Sequence, residues 1–232
     1  VCMKSAILIF CLFVMVGCKG NQSQFKGEDC NVGIFSKSLN SPQFKFKNDT
    51  LTIHSGIESD YFNAPDGVEK KSNAPILLTE IDNNKPFTFT AKVEPDFLTI
   101  YDAGAMYIYC HDDLWQKLAF EMDERGITRI VTVRTVNTSD DNNHDAVAQK
   151  EVYMKISSDT QIIGFYYSLD GNQWQLVRLY KNEYPSMIMI GLSSQSPTSK
   201  SISSQSQSSN IKTIFSEIEL SNKSIRNFRL GL

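Results

Sequence analysis

Residues Tyr101–Glu121 read YDAGAMYIYCHDDLWQKLAFE, and the fold turns on this stretch. Two runs rich in β-formers, Tyr101–Cys110 and Trp115–Asp123, flank the polar turn His111-Asp112-Asp113-Leu114. That pattern predicts an antiparallel hairpin. Successive side chains on a strand alternate faces, so Leu118, Phe120 and Met122 point one way and Trp115, Lys117 and Glu121 the other. A four-residue turn sets Cys110 opposite Trp115, Ile108 opposite Lys117 and Gly104 opposite Glu121, with Asp102 diagonally across from Glu121 on the same face. The expected product is a sheet face carrying a tryptophan, a lysine and two carboxylates around a glycine gap.

The same period of two extends along most of the chain. Strands are expected at Phe44–Lys47, Leu51–His54, Ile76–Ile81, Phe87–Val93, Phe97–Cys110 (bent near Asp102–Gly104), Trp115–Asp123 and Thr128–Thr135. They continue at Val152–Ser157, Gln161–Ser168, Gln173–Tyr180, Met187–Ser193 and Lys212–Leu220. The breaks carry turn residues: Asn83-Asn84-Lys85-Pro86, Glu124-Arg125-Gly126 and Asp170-Gly171. No stretch keeps a helical period over three turns. Roughly a dozen short strands separated by turns predict an all-β chain of two packed antiparallel sheets. Two stretches break the rhythm. Asn137–Lys150 (NTSDDNNHDAVAQK) reads as a polar loop, whose carboxylates suit Ca²⁺ in kind but lack the spacing of a calcium loop. Ser193–Asn210 is Ser-rich and reads as a loop before the last strand.

The N-terminus predicts an address. Lys4 and the apolar run Ala6–Val16 have the charge and short hydrophobic core of an export signal, too short to span a bilayer, which takes about 20 residues. The run ends Met15-Val16-Gly17-Cys18 and turns polar at once, which resembles a bacterial lipobox with Cys18 as the lipidated residue. Val1-Cys2 ahead of Met3 read as an upstream extension. The expected organisation is a signal over residues 1–17, a flexible tether over 18–43, one sandwich domain over 44–220 and a tail over 221–232. The chain is then lipid-anchored in the cell envelope. Of the five cysteines, Cys30 and Cys110 remain in the folded part, either paired or as two free thiols. The formal net charge of −3 argues against a nucleic-acid partner, which selects a basic face. Neither the cysteines nor His54, His111 and His144 show metal spacing, so no cofactor is expected.

A scatter of short motifs, in order, resembles the concanavalin A-like domain of unknown function thirteen forty-nine, whose members are often labelled "regulation of enolase" proteins. Its carriers are Leu51-Thr52-Ile53, Asp60-Tyr61-Phe62, Asn73-Ala74-Pro75, Phe87–Val93, Tyr101-Asp102 with Gly104, and Trp115, Lys117 and Glu121. Tyr167-Ser168, Asp170-Gly171, Trp174, Arg178, Gly191-Leu192 and Ser196-Pro197 complete the set, spanning about residues 44 to 220. The resemblance implies a jelly-roll β-sandwich of the legume-lectin and laminarinase type. Three departures are Ala103 after Asp102, the long Ser-rich insertion after Pro197 and the correspondingly altered approach to the last strands over Ser193–Asn210. The family has no settled activity, so the resemblance implies a fold and not a reaction.

Three readings of the polar face stand side by side. Sugar sites pair an aromatic ring with acids, amides and cations, which Trp115, Lys117, Glu121 and Asp102 supply. A turn at Glu124–Ile127 sets Arg134 opposite Lys117 on the same side, and two adjacent cations suit an acidic sugar. Alternatively, Asp102 and Glu121 form the carboxylate pair of a glycoside hydrolase, held about 5–9.5 Å apart. Against catalysis, Glu80-Ile81-Asp82-Asn83-Asn84-Lys85 lacks the third acid of the laminarinase ExDxxE signature. Under the third reading these side chains are a salt-bridge network without a ligand, the chain is a structural or protein-interaction module, and a one-residue slip puts Trp115 in the core.

Overall fold

The computed structural model describes residues 26–199 and 211–232; the leader, Cys18 and residues 200–210 of the Ser-rich stretch lie outside the described residues. Seventeen strands are present: β1 Glu28–Val32, β2 Phe35–Leu39, β3 Gln43–Lys47, β4 Thr50–His54, β5 Tyr61–Asn63, β6 Lys70–Ser72, β7 Ile76–Asp82, β8 Phe87–Pro95 and β9 Ala103–His111. After these come β10 Leu114–Met122, β11 Thr128–Val136, β12 Thr138–Ala146, β13 Val152–Ser158, β14 Ile162–Ser168, β15 Gln175–Lys181, β16 Met187–Gln195 and β17 Lys212–Ser221. One sheet runs β1-β2-β7-β16-β9-β10-β11-β12 and the other β15-β14-β13-β8-β17-β4-β3, with β5-β6 a separate hairpin. Every pairing among these strands is antiparallel, giving the all-β sandwich that the period of two predicts.

Alternation builds the core. On β8, Phe87, Phe89, Ala91, Val93 and Pro95 are buried while the residues between them are half-exposed. They meet Met106, Ile108, Leu118, Phe120 and Ile130 of the facing sheet. Burying a side chain of this size is worth about 1.5–3 kcal/mol. A second apolar cluster, with Tyr61, Tyr107, Tyr109, Trp115, Ala119, Val131 and Val133, lies on the other face of the eight-stranded sheet. This explains why β9 is buried on both faces instead of alternating.

Three expectations are corrected. Residues 28–39, read as tether, form β1 and β2 and bury Val32, Phe35 and Leu39. The polar stretch 138–146, read as a loop, is the edge strand β12, whose Asp and Asn side chains face water where a central strand would carry apolar ones. Residues 97–102 form a loop before β9 and not its first half. The tail from 221 onward packs back, with Lys155 Nζ donating to the Gly231 carbonyl at 2.9 Å and Tyr166 OH to that of Phe228 at 2.8 Å. Cys30 and Cys110 are both free.

The central hairpin carries the most consequential change. His111 pairs with Leu114 around a two-residue turn, and a bulge at Cys110 then puts Tyr109 opposite Trp115. Lys117 therefore faces Tyr107 and Glu121 faces Ala103, each one residue from the expected partner. The faces of β10 stand as read, but those of β9 are inverted. Gly104 points between the sheets, where an added Cβ would lie 2.5 Å from Thr213 Cγ2 and 2.7 Å from Val93 Cγ1. Gly104→Ala should overpack this contact and cost about 1–3 kcal/mol in urea unfolding. A neutral substitution would place Gly104 on an open surface after all.

Candidate functional site

Three rungs of the eight-stranded sheet lay out the site. Tyr107, Lys117, Val133 and Asp141 form one across β9 to β12, and Ala105, Ala119, Val131 and Asn143 form the next. Ala103 and Glu121 begin the third. Val131 and Asn143 of the middle rung line a depression that Lys117 and Glu121 flank. The β5–β6 hairpin roofs one side of it. Tyr61 is buried edge-on against Tyr107, Tyr109 and Trp115, with ring centroids 5.8–6.1 Å apart. The Asn63 side chain donates to the Asn137 carbonyl at 2.8 Å, and Lys70 reaches Asp113 at 2.6 Å.

The result is a cavity of about 350 Å³. The hairpin contributes Asp60, Phe62, Glu69 and Lys71, and the 97–102 loop contributes Tyr101. Lys117, Glu121, Val131 and Val133 supply the sheet side, Asp141 and Asn143 the edge strand, and Glu124, Pro197 and Thr198 close the rim.

Of the residues proposed from sequence, only Lys117 and Glu121 line this cavity. Trp115 is on the expected face but fully buried beneath Tyr61, its indole N–H donating to the Asp112 carbonyl at 3.2 Å, so no sugar can stack on it. Asp102 is also fully buried. Its carboxylate accepts from the Leu98 and Thr99 amides at 2.8 and 2.7 Å, the Thr99 hydroxyl at 3.0 Å and the Ser196 hydroxyl at 2.5 Å. With its acceptor sites used, Asp102 organises the loop that presents Tyr101 and cannot serve as the hydrolase partner of Glu121. Tyr101 itself sits at φ 67°, a backbone conformation that costs an L residue about 1–2 kcal/mol. Arg134 pairs with Gln116, because a five-residue loop, Asp123–Ile127, precedes β11. It therefore faces the opposite sheet, with its guanidinium 5.8 Å from the Tyr180 ring centroid.

Lys117 is committed within the fold. Its ammonium donates to Asp60 Oδ1 at 3.2 Å, the Tyr61 carbonyl at 3.1 Å and Gln195 Oε1 at 3.1 Å, which uses all three N–H groups. Burial alone would depress its pKa; Asp60 and Glu121 outweigh this and raise it. Gln195 also donates to Tyr107 OH at 2.8 Å. Asp60, Phe62, Tyr101, Asp141 and Gln195 are the site residues that the candidate set lacked. Outward alternation on β12 would have marked Asp141, and with it the lining residue Asn143, had that stretch been read as a strand.

The family model described as "Protein of unknown function (DUF1349)" matches residues 39–222. The chain belongs to this family. No curated protein matches it. Among solved structures it is similar to a functionally unknown protein from Saccharomyces cerevisiae (19% identity, TM-score 0.69, covering 80% of this chain and 95% of that one). It is also similar to a bifunctional GH43-CE protein of Bacteroides eggerthii, at 16% identity and TM-score 0.58, covering 82% of this chain but 24% of the other. A xylan β-1,4-xylosidase from Bacillus halodurans C-125 matches at 10% identity and TM-score 0.51, covering 77% and 38%. At these identities the family fold is what is shared, and the chain spans a minor part of both enzyme chains.

Within that shared fold, this chain's cavity has an unusual acid. Among the described residues Glu121 accepts no hydrogen bond and has no cation within 4.0 Å. Burial pushes its carboxyl up to about 8; Lys117 opposes this, while Asp60, Asp141 and Asp123 add to it. Desolvation likewise raises Asp141. A carboxyl whose folded-state pKa exceeds its ordinary value stabilises the fold fully only below that ordinary value, and the contribution disappears as pH rises through the folded value. For Glu121 the window runs from 4.5 to about 8. Glu121→Gln should therefore match the parent Tm near about pH 5 and exceed it near about pH 9. A Tm difference that does not change with pH would show that Glu121 is not perturbed.

Proposed function

We propose that this chain binds carbohydrate in the cavity beside the β5–β6 hairpin, without catalysis, and is presented at the cell envelope by a lipid on Cys18. The observation that carries the reading is the pairing of two aromatic rings, Phe62 and Tyr101, with the polar side chains of Glu121, Asp141 and Asn143 around one cavity. Aromatic faces match the apolar faces of pyranose rings, and acids and amides match their hydroxyls. The volume falls in the usual range for small-ligand sites, about 300–1,000 Å³. Recurrence of the fold within GH43 proteins and a xylosidase supports a saccharide as the ligand class. The carboxylate excess in the lining disfavours an acidic sugar, and Arg134 is not available to balance one.

Hydrolysis is the second reading, favoured only by Glu121. A carboxyl still protonated near neutral pH is what a general acid requires, and Asp141 is the remaining candidate for a base.

Screening neutral plant, microbial and host oligosaccharides should give at least one ligand. Against it, Phe62→Ala and Tyr101→Ala should each weaken binding about 5- to 10-fold in calorimetry, since an aromatic contact is worth about 1–1.5 kcal/mol. Absence of any saccharide ligand overturns the proposal. Release of reducing ends that vanishes in Glu121→Gln would replace binding with hydrolysis.

A further inference from the structure

We infer a second ligand site, between β11 and β15 at the edge of the sandwich, that takes a small acid with a hydroxyl beside its carboxylate, held by Arg134, Arg178, Tyr180 and Gln116. The site lies on the face of the eight-stranded sheet opposite the cavity and does not depend on what the cavity binds.

Strand pairing assembles it. Gln116, Arg134 and Asp140 form one rung across β10, β11 and β12. Facing this rung is β15, the edge strand of the other sheet, with Arg178 and Tyr180 two residues apart on one side. The Arg134 guanidinium lies 5.8 Å from the Tyr180 ring centroid, and Arg178 reaches across to Asp140 at 3.5 Å. Tyr184, from the loop after β15, accepts a hydrogen bond from the Gln116 amide.

Unmet hydrogen bonding marks the place. Among the described residues, seven buried side-chain atoms have no partner in the protein, and four of them meet here: Arg134 Nε, Arg178 Nη1, Tyr180 OH and Gln116 Oε1. Gln116 is fully buried, and its side chain faces Tyr180 as well as Tyr184. Buried polar groups are nearly always paired, because withdrawing them from water without compensation is costly. Four unpaired groups gathered from three strands form a surface that one guest can satisfy.

Charge sets the sign of that guest. The two guanidiniums share a single carboxylate, that of Asp140, which is largely exposed and touches only Arg178. Among the described residues Arg134 has no carboxylate within 4.0 Å. One positive charge is therefore left over. A guanidinium fork matches the planar oxygens of a carboxylate, and the two oxygens can share the three free donors of Arg134, Arg178 and Tyr180. Burial holds the Tyr180 phenol well above its ordinary pKa, with both arginines opposing this, so it remains a neutral donor. A dianion such as phosphate would exceed the free charge and face Asp140. Chloride would leave Gln116 unmet. A hydroxyl next to the carboxylate meets Gln116 whichever way its amide is turned, since a hydroxyl both donates and accepts.

The test titrates the full chain with glycolate, D-glucuronate, acetate, inorganic phosphate and D-glucose, by calorimetry and by the NMR resonance of the Arg134 Nε–H. Glycolate or glucuronate should bind saturably and shift that resonance; which of them binds more tightly separates a simple hydroxy acid from a sugar acid. Acetate, lacking the hydroxyl, should bind about 5-fold or more weakly, and glucose should cause no shift. Arg134→Gln and Arg178→Lys should each weaken binding about 10-fold or more. Tyr180→Phe, which keeps the ring and its packing, should weaken it about 5-fold. If none of the acids shifts the resonance, the four groups are met by water alone and the inference is overturned. It is equally overturned if phosphate binds as tightly as the hydroxy acids, or if binding survives all three substitutions.

Discussion

The buried ammonium of Lys117 holds the functional face of this molecule together. It reaches three acceptors from two separate parts of the chain: the Asp60 carboxylate and Tyr61 carbonyl at the start of the β5–β6 hairpin, and the Gln195 side chain at the end of β16. An unpaired charge at this depth would be costly, and a paired one gives little net stability over an apolar replacement. Its value here is in position. The contact fixes where the hairpin crosses the sheet, and the hairpin covers Tyr107, Tyr109 and Trp115 with Tyr61. Without that cover a broad aromatic surface would face water and the cavity would lose a wall.

The cavity follows from what stands beside this contact. Along β10 the outward positions run Trp115, Lys117, Ala119, Glu121. The first two are closed over by the hairpin, the third is small, and the fourth emerges beyond the covered zone. Glu121 is thus a carboxyl in an acid-rich cavity, where burial and neighbouring carboxylates oppose its ionisation. Asp102 serves the opposite purpose. Four donors hold its carboxylate, and what it contributes to the site is the placement of Tyr101.

Much of the fold is legible from residue pattern, because burial on one face of a strand imposes a period of two. Phe87–Val93 shows this directly. Register is less legible. Cys110 looks like any other strand residue, yet the bulge it forms inverts the faces of β9 and sends Gly104 into the core. Likewise, one extra residue in the Asp123–Ile127 loop turns Arg134 away from Lys117. Edge strands are hidden for another reason. The Asp and Asn side chains of β12 make it resemble a loop, and β1 and β2 bury only Val32, Phe35, Ser38 and Leu39. Of the proposed site, Lys117 and Glu121 share a face that alternation on β10 reveals. Asp60, Phe62, Tyr101 and Asp141 come from elements whose packing depends on contacts distant in sequence.

The most direct test of this account is the energetic coupling between Lys117 and Asp60. A double-mutant cycle of Lys117→Met and Asp60→Asn, read by urea unfolding, isolates it from the separate cost of each change. Each single variant strands a partner, so each should lose about 3 kcal/mol or more, and the double variant should recover about 2 kcal/mol relative to their sum. Additive losses with no coupling would contradict the account, because the hairpin would then be held by its other contacts, those of Tyr61, Asn63 and Lys70.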